Sequence, residues 1–410
     1  MIEKTEKKPK YLSDFVYSII ATLLSTGVMQ LVVLPQLSRT LSSAEYGVML
    51  TATGLMNILI NAFGNNLCNS RLRQQVKYTN KQVKGDYQIL LLAASGLALV
   101  TVLLSYFYLK TDFFRLIIPL AIISVTGIWR AYYLVTYRLS IDFRRNLRAN
   151  ICGCIGYLIG GFFLIYYVAW PWVFFPADFF LLIYICFSSD IVREPIKKTE
   201  LFSDSARVTS MLLVGGLIGN VTIYLDRIIL YPVLGSESVS TYATAAWFSK
   251  SILMIMSPIT SVLLSYITAG KLKLNKTKYD KVCLLLLAGA AVCWGGAIVF
   301  APVITGFFYP DLIESAKPYI VFVSLAVVIG IIGNFLAIMV LAYAPVKWQT
   351  VIPLIKVVIY AAFGVVLSSL MGIEGMIIAV FVANLVFIII SYFVARKWVR
   401  EELIAEDAQK

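Results

Sequence analysis

The sequence predicts an all-α, polytopic membrane protein of about twelve transmembrane helices in two six-helix lobes. Three observations predict it. Of the 410 residues 60% are hydrophobic, at a mean hydropathy of +0.84; apolar stretches long enough to cross a bilayer recur down the whole chain; and lysine and arginine collect in alternate connections between those stretches. No soluble domain buries that much apolar surface, so a bilayer must be the solvent.

Crossing about 30 Å of hydrocarbon takes about 20 apolar residues, because every backbone N–H and C=O has to be satisfied inside the helix. Segments of that kind fall at residues 14–37, 46–67, 87–108, 113–137, 150–168, 172–189, 208–231, 241–268, 282–308, 317–343, 348–370 and 374–395. The first is too long for a removable signal peptide and lacks a small-residue cleavage site. In the sixth, Pro171, Pro176 and Asp178 crowd the start.

Charged residues make up only 14% of the chain, yet the net charge is +13. Of the cations, 27 lie in one set of connections and tails: Lys4, Lys7, Lys8 and Lys10, then the runs 71–84, 138–148, 193–207 and 271–281, then Lys347, and finally Arg396, Lys397, Arg400 and Lys410. The opposite connections hold only Arg39, Lys110, Arg115 and Lys317. The positive-inside rule assigns the first set, and both termini, to the cytoplasm of a bacterial inner membrane. The basic loops suit anionic membrane lipids rather than nucleic acid. The opposite loops are short and leave no room for an extracytoplasmic domain.

Histidine is absent, which removes the commonest general base and the commonest transition-metal ligand. No metal or cofactor is implied. The six cysteines (Cys68, Cys152, Cys154, Cys186, Cys283 and Cys293) form no CxxC pair and read as small core hydrophobes.

Two turns resemble each other six spans apart. Leu41-Ser42-Ser43-Ala44-Glu45-Tyr46-Gly47 leads into Thr51-Ala52-Thr53, and Leu234-Gly235-Ser236-Glu237-Ser238-Val239-Ser240-Thr241-Tyr242 leads into Ala243-Thr244-Ala245. An offset of six spans makes the halves parallel repeats, an arrangement typical of transporters that rock two lobes about a central site. The polar stretch 190–206, with Pro195, is the expected linker, dividing the chain into lobes 1–200 and 201–410.

Four cations fall within spans: Arg130, Arg227, Lys250 and Lys356. Each costs roughly 2.5 to 3.5 kcal/mol at a helix centre. The deep acids are Asp178 and Asp226, so two cations remain even when both acids are paired. A hydrated, electropositive lumen satisfies them and suits an anionic substrate. Arg130 and Arg227 lie close enough to helix ends to snorkel. Lys250 and Lys356 lie roughly 13 to 15 Å from theirs and are the deeper candidates. Asp226 and Asp178 are candidates for ion coupling or charge pairing. In the second span Asn57, Asn61, Asn65 and Asn69 recur every fourth residue along a slowly drifting face, where they either hydrogen-bond sugar hydroxyls or glue helices together.

The 6+6 arrangement, Tyr46-Gly47 after the first turn, Asp226-Arg227-Ile228-Ile229 before Leu234-Gly235, and Tyr137-Arg138-Leu139-Ser140-Ile141-Asp142-Phe143-Arg144 after the fourth span carry a family resemblance. Together they resemble the polysaccharide-transporter branch of the MOP superfamily, the Wzx-type flippases of O-antigen and capsule repeat units. The chain has no room for the two additional helices of the lipid II flippases. The resemblance implies a MATE-like V of two lobes and a transporter rather than an enzyme. Its cargo would be an undecaprenyl-diphosphate-linked glycan, moved from the cytoplasmic to the outer leaflet, with a polysaccharide polymerase as a further candidate partner. In that reading Lys250, Lys356, Arg130 and Arg227 hold the diphosphate, and Asn57, Asn61 and Asn65 meet the sugars. The rival readings are a cation-coupled multidrug antiporter of the same superfamily, which needs lumenal acids, and an intramembrane polysaccharide-modifying enzyme, which needs large external loops or intramembrane histidine.

Overall fold

In the computed structural model, described over residues 11–109, 113–164, 169–268, 275–345 and 347–408, the chain is helical almost throughout, and no strand occurs among the described residues. Lys4, Lys7, Lys8, Lys10, Lys110, Lys271, Lys273 and Lys410 lie outside them. The long helices are α1 (11–40), α2 (Ser43–Lys81), α3 (Asp86–Leu109), α4 (Phe114–Leu139), α5 (143–164), α6 (Trp170–Ser188), α7 (Phe202–Leu234), α8 (Ser236–Thr268), α9 (Lys276–Phe308), α10 (Ile313–Tyr343), α11 (Trp348–Met371) and α12 (Ile373–Ala408). Ten of them are long and apolar enough to cross a membrane. The other two, α5 and α8, occupy the expected fifth and eighth spans, and each runs up to residues outside the description.

The ends of these helices follow local chemistry. Asp142 caps α5 by accepting the Arg145 N–H at 3.1 Å, and Asn275 caps α9 by accepting the Lys278 N–H at 2.8 Å. The turns after α7 and α11 pass through Gly235 (φ +87°) and Gly372 (φ +65°), a conformation that a Cβ disfavours.

The chain forms two compact units, one of the described residues of Met1–Thr40 with Ala52–Asn220, the other of Leu41–Thr51 with Val221–Lys410. In the first, α1 packs on α5, α5 on α6, α6 on α4, and α4 on both α2 and α3. In the second, α11 packs on α12, α12 on α10, and α10 on both α8 and α9. The pairs α2 with α4, α3 with α4, α4 with α6 and α5 with α6 therefore recur six helices later. A sequence repeat becomes a packing repeat.

The stretch expected as a polar linker is held firmly to the first unit. Arg71 of α2 makes a two-pronged pair with Glu194 (2.6 and 2.7 Å), its Nη1 also donates to the Tyr132 hydroxyl, and both charged side chains are largely buried. Gln88 donates to the Ile191 carbonyl at 2.8 Å, and the buried Asp86 accepts the Thr199 N–H at 2.6 Å. Gly85 (φ +127°) lets its backbone approach so closely that a Cβ would sit 2.6 Å from the Lys197 carbonyl oxygen. The polar composition thus supplies partners rather than slack. Arg71→Leu strands Glu194 in the interior at a cost of about 3 kcal/mol, so tryptic cleavage at the exposed Lys197 and Lys198 is expected to accelerate on the order of 100-fold. Lys81→Leu, which removes the solvent-exposed pair with Glu200, is expected to leave the cleavage rate unchanged.

Candidate functional site

In the second unit, Lys250 on α8 donates to Asp226 Oδ2 on the neighbouring α7. Asp226 is 1% exposed, whereas the Lys250 side chain keeps 32% of its surface open. The other carboxylate oxygen of Asp226 accepts the Arg227 backbone N–H at 2.9 Å. Buried Tyr242 and Tyr360 hydrogen-bond each other beside this pair. The Arg227 guanidinium turns elsewhere: Nη1 donates to the Leu50 carbonyl at 3.1 Å, and the group lies 5.7 Å from the Tyr224 ring. Lys356 on α11 points its Nζ at the Phe387 ring, 4.5 Å from the centroid, and no carboxylate pairs with it among the described residues.

In the first unit, Arg130 on α4 pairs with buried Asp178 on α6 at 2.9 Å, and the Thr126 hydroxyl donates to the second carboxylate oxygen at 3.2 Å. Gly127, next on α4, comes so near that a Cβ would lie 3.3 Å from that same oxygen. Two interhelical ion pairs, one in each unit, therefore take up both deep acids and two of the four intramembrane cations. Among the described residues, Arg227 and Lys356 are left with a backbone carbonyl and with aromatic faces.

The asparagines of α2 lie in the first unit. Asn65 donates to Asn61 Oδ1 at 2.6 Å across a π-helical turn, Ile60–Asn65. Asn57 and Asn61 are half-buried, and Asn65 and Asn69 are exposed, while Met56, Ile58, Leu59, Ile60, Ala62 and Phe63 around them are buried. Sequence reasoning missed Arg138, whose Nη1 donates to Asn69 Oδ1 at 3.3 Å. The four-residue asparagine rhythm was visible, but nothing in the sequence marked which arginine ends it.

Fold and charge arrangement define a multi-pass membrane protein built from two repeated helical units, each braced by a buried ion pair. No protein-family model matches the chain, and no curated protein matches it in sequence. Solved structures match it over nearly its full length. The lipid II flippase MurJ, in an inward closed conformation, superposes with a TM-score of 0.71 at 13% identity, over 93% of this chain and 87% of that one. An inward-facing multidrug resistance MATE family transporter of the MOP superfamily gives 0.69 at 14% identity, over 95% and 98%. A MATE in a bent conformation gives 0.60 at 14%, over 97% of each chain. The fold is the one these MATE transporters and MurJ share.

Proposed function

We propose that the protein is a flippase that moves an undecaprenyl-diphosphate-linked oligosaccharide repeat unit, of O-antigen, capsule or a related polysaccharide, from the cytoplasmic to the outer leaflet of a bacterial inner membrane. It works by alternating access of lobes 1–200 and 201–410, with both termini cytoplasmic, anionic lipids around its basic loops, and a polysaccharide polymerase as a downstream partner. The observation that carries this reading is the charge balance within the spans. Arg227 and Lys356 have no carboxylate partner among the described residues, and Lys250 remains about one-third exposed beside Asp226. Cations without counter-charges in a membrane face a polar phase or an anionic ligand. A diphosphate supplies that ligand, and an inside-negative potential favours its outward movement by about 2.3 kcal/mol per charge per 100 mV.

A multidrug antiporter is the second reading, supported by the MATE neighbours. A cationic drug needs a free acid, and here Asp178 and Asp226 are already engaged by Arg130 and Lys250. The lipid II flippase among the neighbours supports a lipid-linked cargo instead. Proteoliposomes carrying the purified protein and a labelled undecaprenyl-diphosphate-linked glycan test the choice. The expected result is that glycan initially shielded inside becomes accessible to an impermeant glycosidase within minutes. Shielding that persists while a cationic dye is transported overturns the flippase reading in favour of the antiporter.

A further inference from the structure

We infer that the asparagine stripe of α2, aligned by its π turn and ending at Arg138, is a hydrogen-bonding track for a polyhydroxylated ligand, the glycan of the proposed cargo. The identity of the ligand rests on the flippase reading; the track rests on geometry. Each α-helical residue turns about 100°, so four residues overshoot a full turn by about 40°, and Asn57 and Asn69 on an ideal helix would diverge by about 120°. The turn Ile60–Asn65 is closed by i→i+5 hydrogen bonds, holds more residues than an α turn, and takes back part of that overshoot. Its effect is visible in the direct contact of Asn61 with Asn65 and in the single open face of an otherwise buried stretch. Such π turns cluster at functional sites.

The structure also contains asparagines that do glue helices, and they look different. Asn384 on α12 is 6% exposed, donates to the Ala326 carbonyl at 2.9 Å and packs against Gly330. Asn66, next to the stripe, bonds the Ala62 carbonyl and fills the space over Gly216. Asn61, Asn65 and Asn69 instead bond one another or Arg138, and all four stripe residues keep accessible surface. Exposed amides within a membrane span must meet water or a polar ligand, because hydrocarbon offers them no partner. Each amide carries both donors and an acceptor, the complement of paired sugar hydroxyls. At the end of the row, exposed Arg138 adds a cation that suits the anionic end of a sugar diphosphate.

The test titrates full-length protein in nanodiscs with two probes, undecaprenyl diphosphate and the same lipid carrying a disaccharide. Wild type is expected to bind the glycosylated lipid about tenfold more tightly. Asn61→Leu with Asn65→Leu should erase that preference while affinity for the bare lipid stays within about twofold. Asn65→Ala, which removes an exposed amide without altering packing, should cut the preference severalfold at an unchanged melting temperature. A double variant that keeps the preference, or that loses both probes equally, overturns the track. Wild type that binds both lipids without preference also overturns it and leaves the flippase standing, whereas binding of neither lipid removes the flippase reading itself.

Discussion

Lys250→Ala is expected to abolish surface polysaccharide display and also to destabilise the protein, while Lys250→Ala combined with Asp226→Asn recovers the fold without recovering display. The single variant leaves the Asp226 carboxylate 1% exposed with, among the described residues, the Arg227 backbone N–H as its remaining hydrogen-bond partner. Removing one member of a buried pair costs about 3 to 5 kcal/mol, and the lower end applies because the lysine is 32% exposed and water screens part of the loss. A loss of that size lowers the amount of folded protein, so a defect in display from the single variant has two causes. Asp226→Asn removes the stranded charge, keeps a hydrogen-bonding group of the same shape, and separates them. Lys356→Ala needs no such compensation, since it forfeits only packing and a cation–π contact with Phe387. Membrane abundance by immunoblot, melting temperature in detergent and cell-surface glycan are the three readouts. Full display from both Lys356→Ala and the double variant would show that these cations do not hold the cargo.

Hydropathy made the helices legible, because a bilayer imposes the same length and composition on every span wherever it sits in the fold. The six-span repeat was legible at its turns, where Ser, Gly and Tyr recur for local reasons. Pairing of the buried charges was not. Asp226 lies eight residues before the end of α7 and Lys250 fourteen after the start of α8, so helix rise alone sets them at depths about 9 Å apart. Helix tilt and the reach of a lysine close that gap, and neither is written in the local sequence. The clamped segment after α6 was hidden for a different reason. Its polar residues look like those of a free linker, and only Asp86 and Arg71, about a hundred residues earlier, convert them into hydrogen-bonded structure. The π turn carries no composition of its own, so the drift of the asparagine stripe was readable and its correction was not.

Oxidation of a Ser43→Cys/Ser240→Cys variant, in a background lacking the six native cysteines, is expected to suppress transport by more than about 90%, with recovery on reduction. The two hydroxyl oxygens lie 2.7 Å apart, close enough for a disulfide with little backbone movement. They belong to the two turns that the repeat relates, and those turns touch: a Cβ on Gly47 would lie 1.8 Å from the Ser236 carbonyl oxygen. Tyr46 packs beside Tyr309 at a centroid separation of 6.3 Å, and Arg227 donates to the Leu50 carbonyl. Residues 41–51 are thus anchored among α7, α8 and the residue that ends α9, whereas α2 from residue 52 onward belongs to the other unit. The alternating access proposed above would therefore require either release of this anchor or a bend in α2 near residues 51–52. Arg227 then also touches the anchor, through the Leu50 backbone carbonyl, while its Nε keeps no partner among the described residues. The cross-link forbids release and leaves bending free. Transport at the wild-type rate by fully cross-linked protein would establish that α2 bends, and Gly47→Val, which cannot dock at all, would then be the variant that fails.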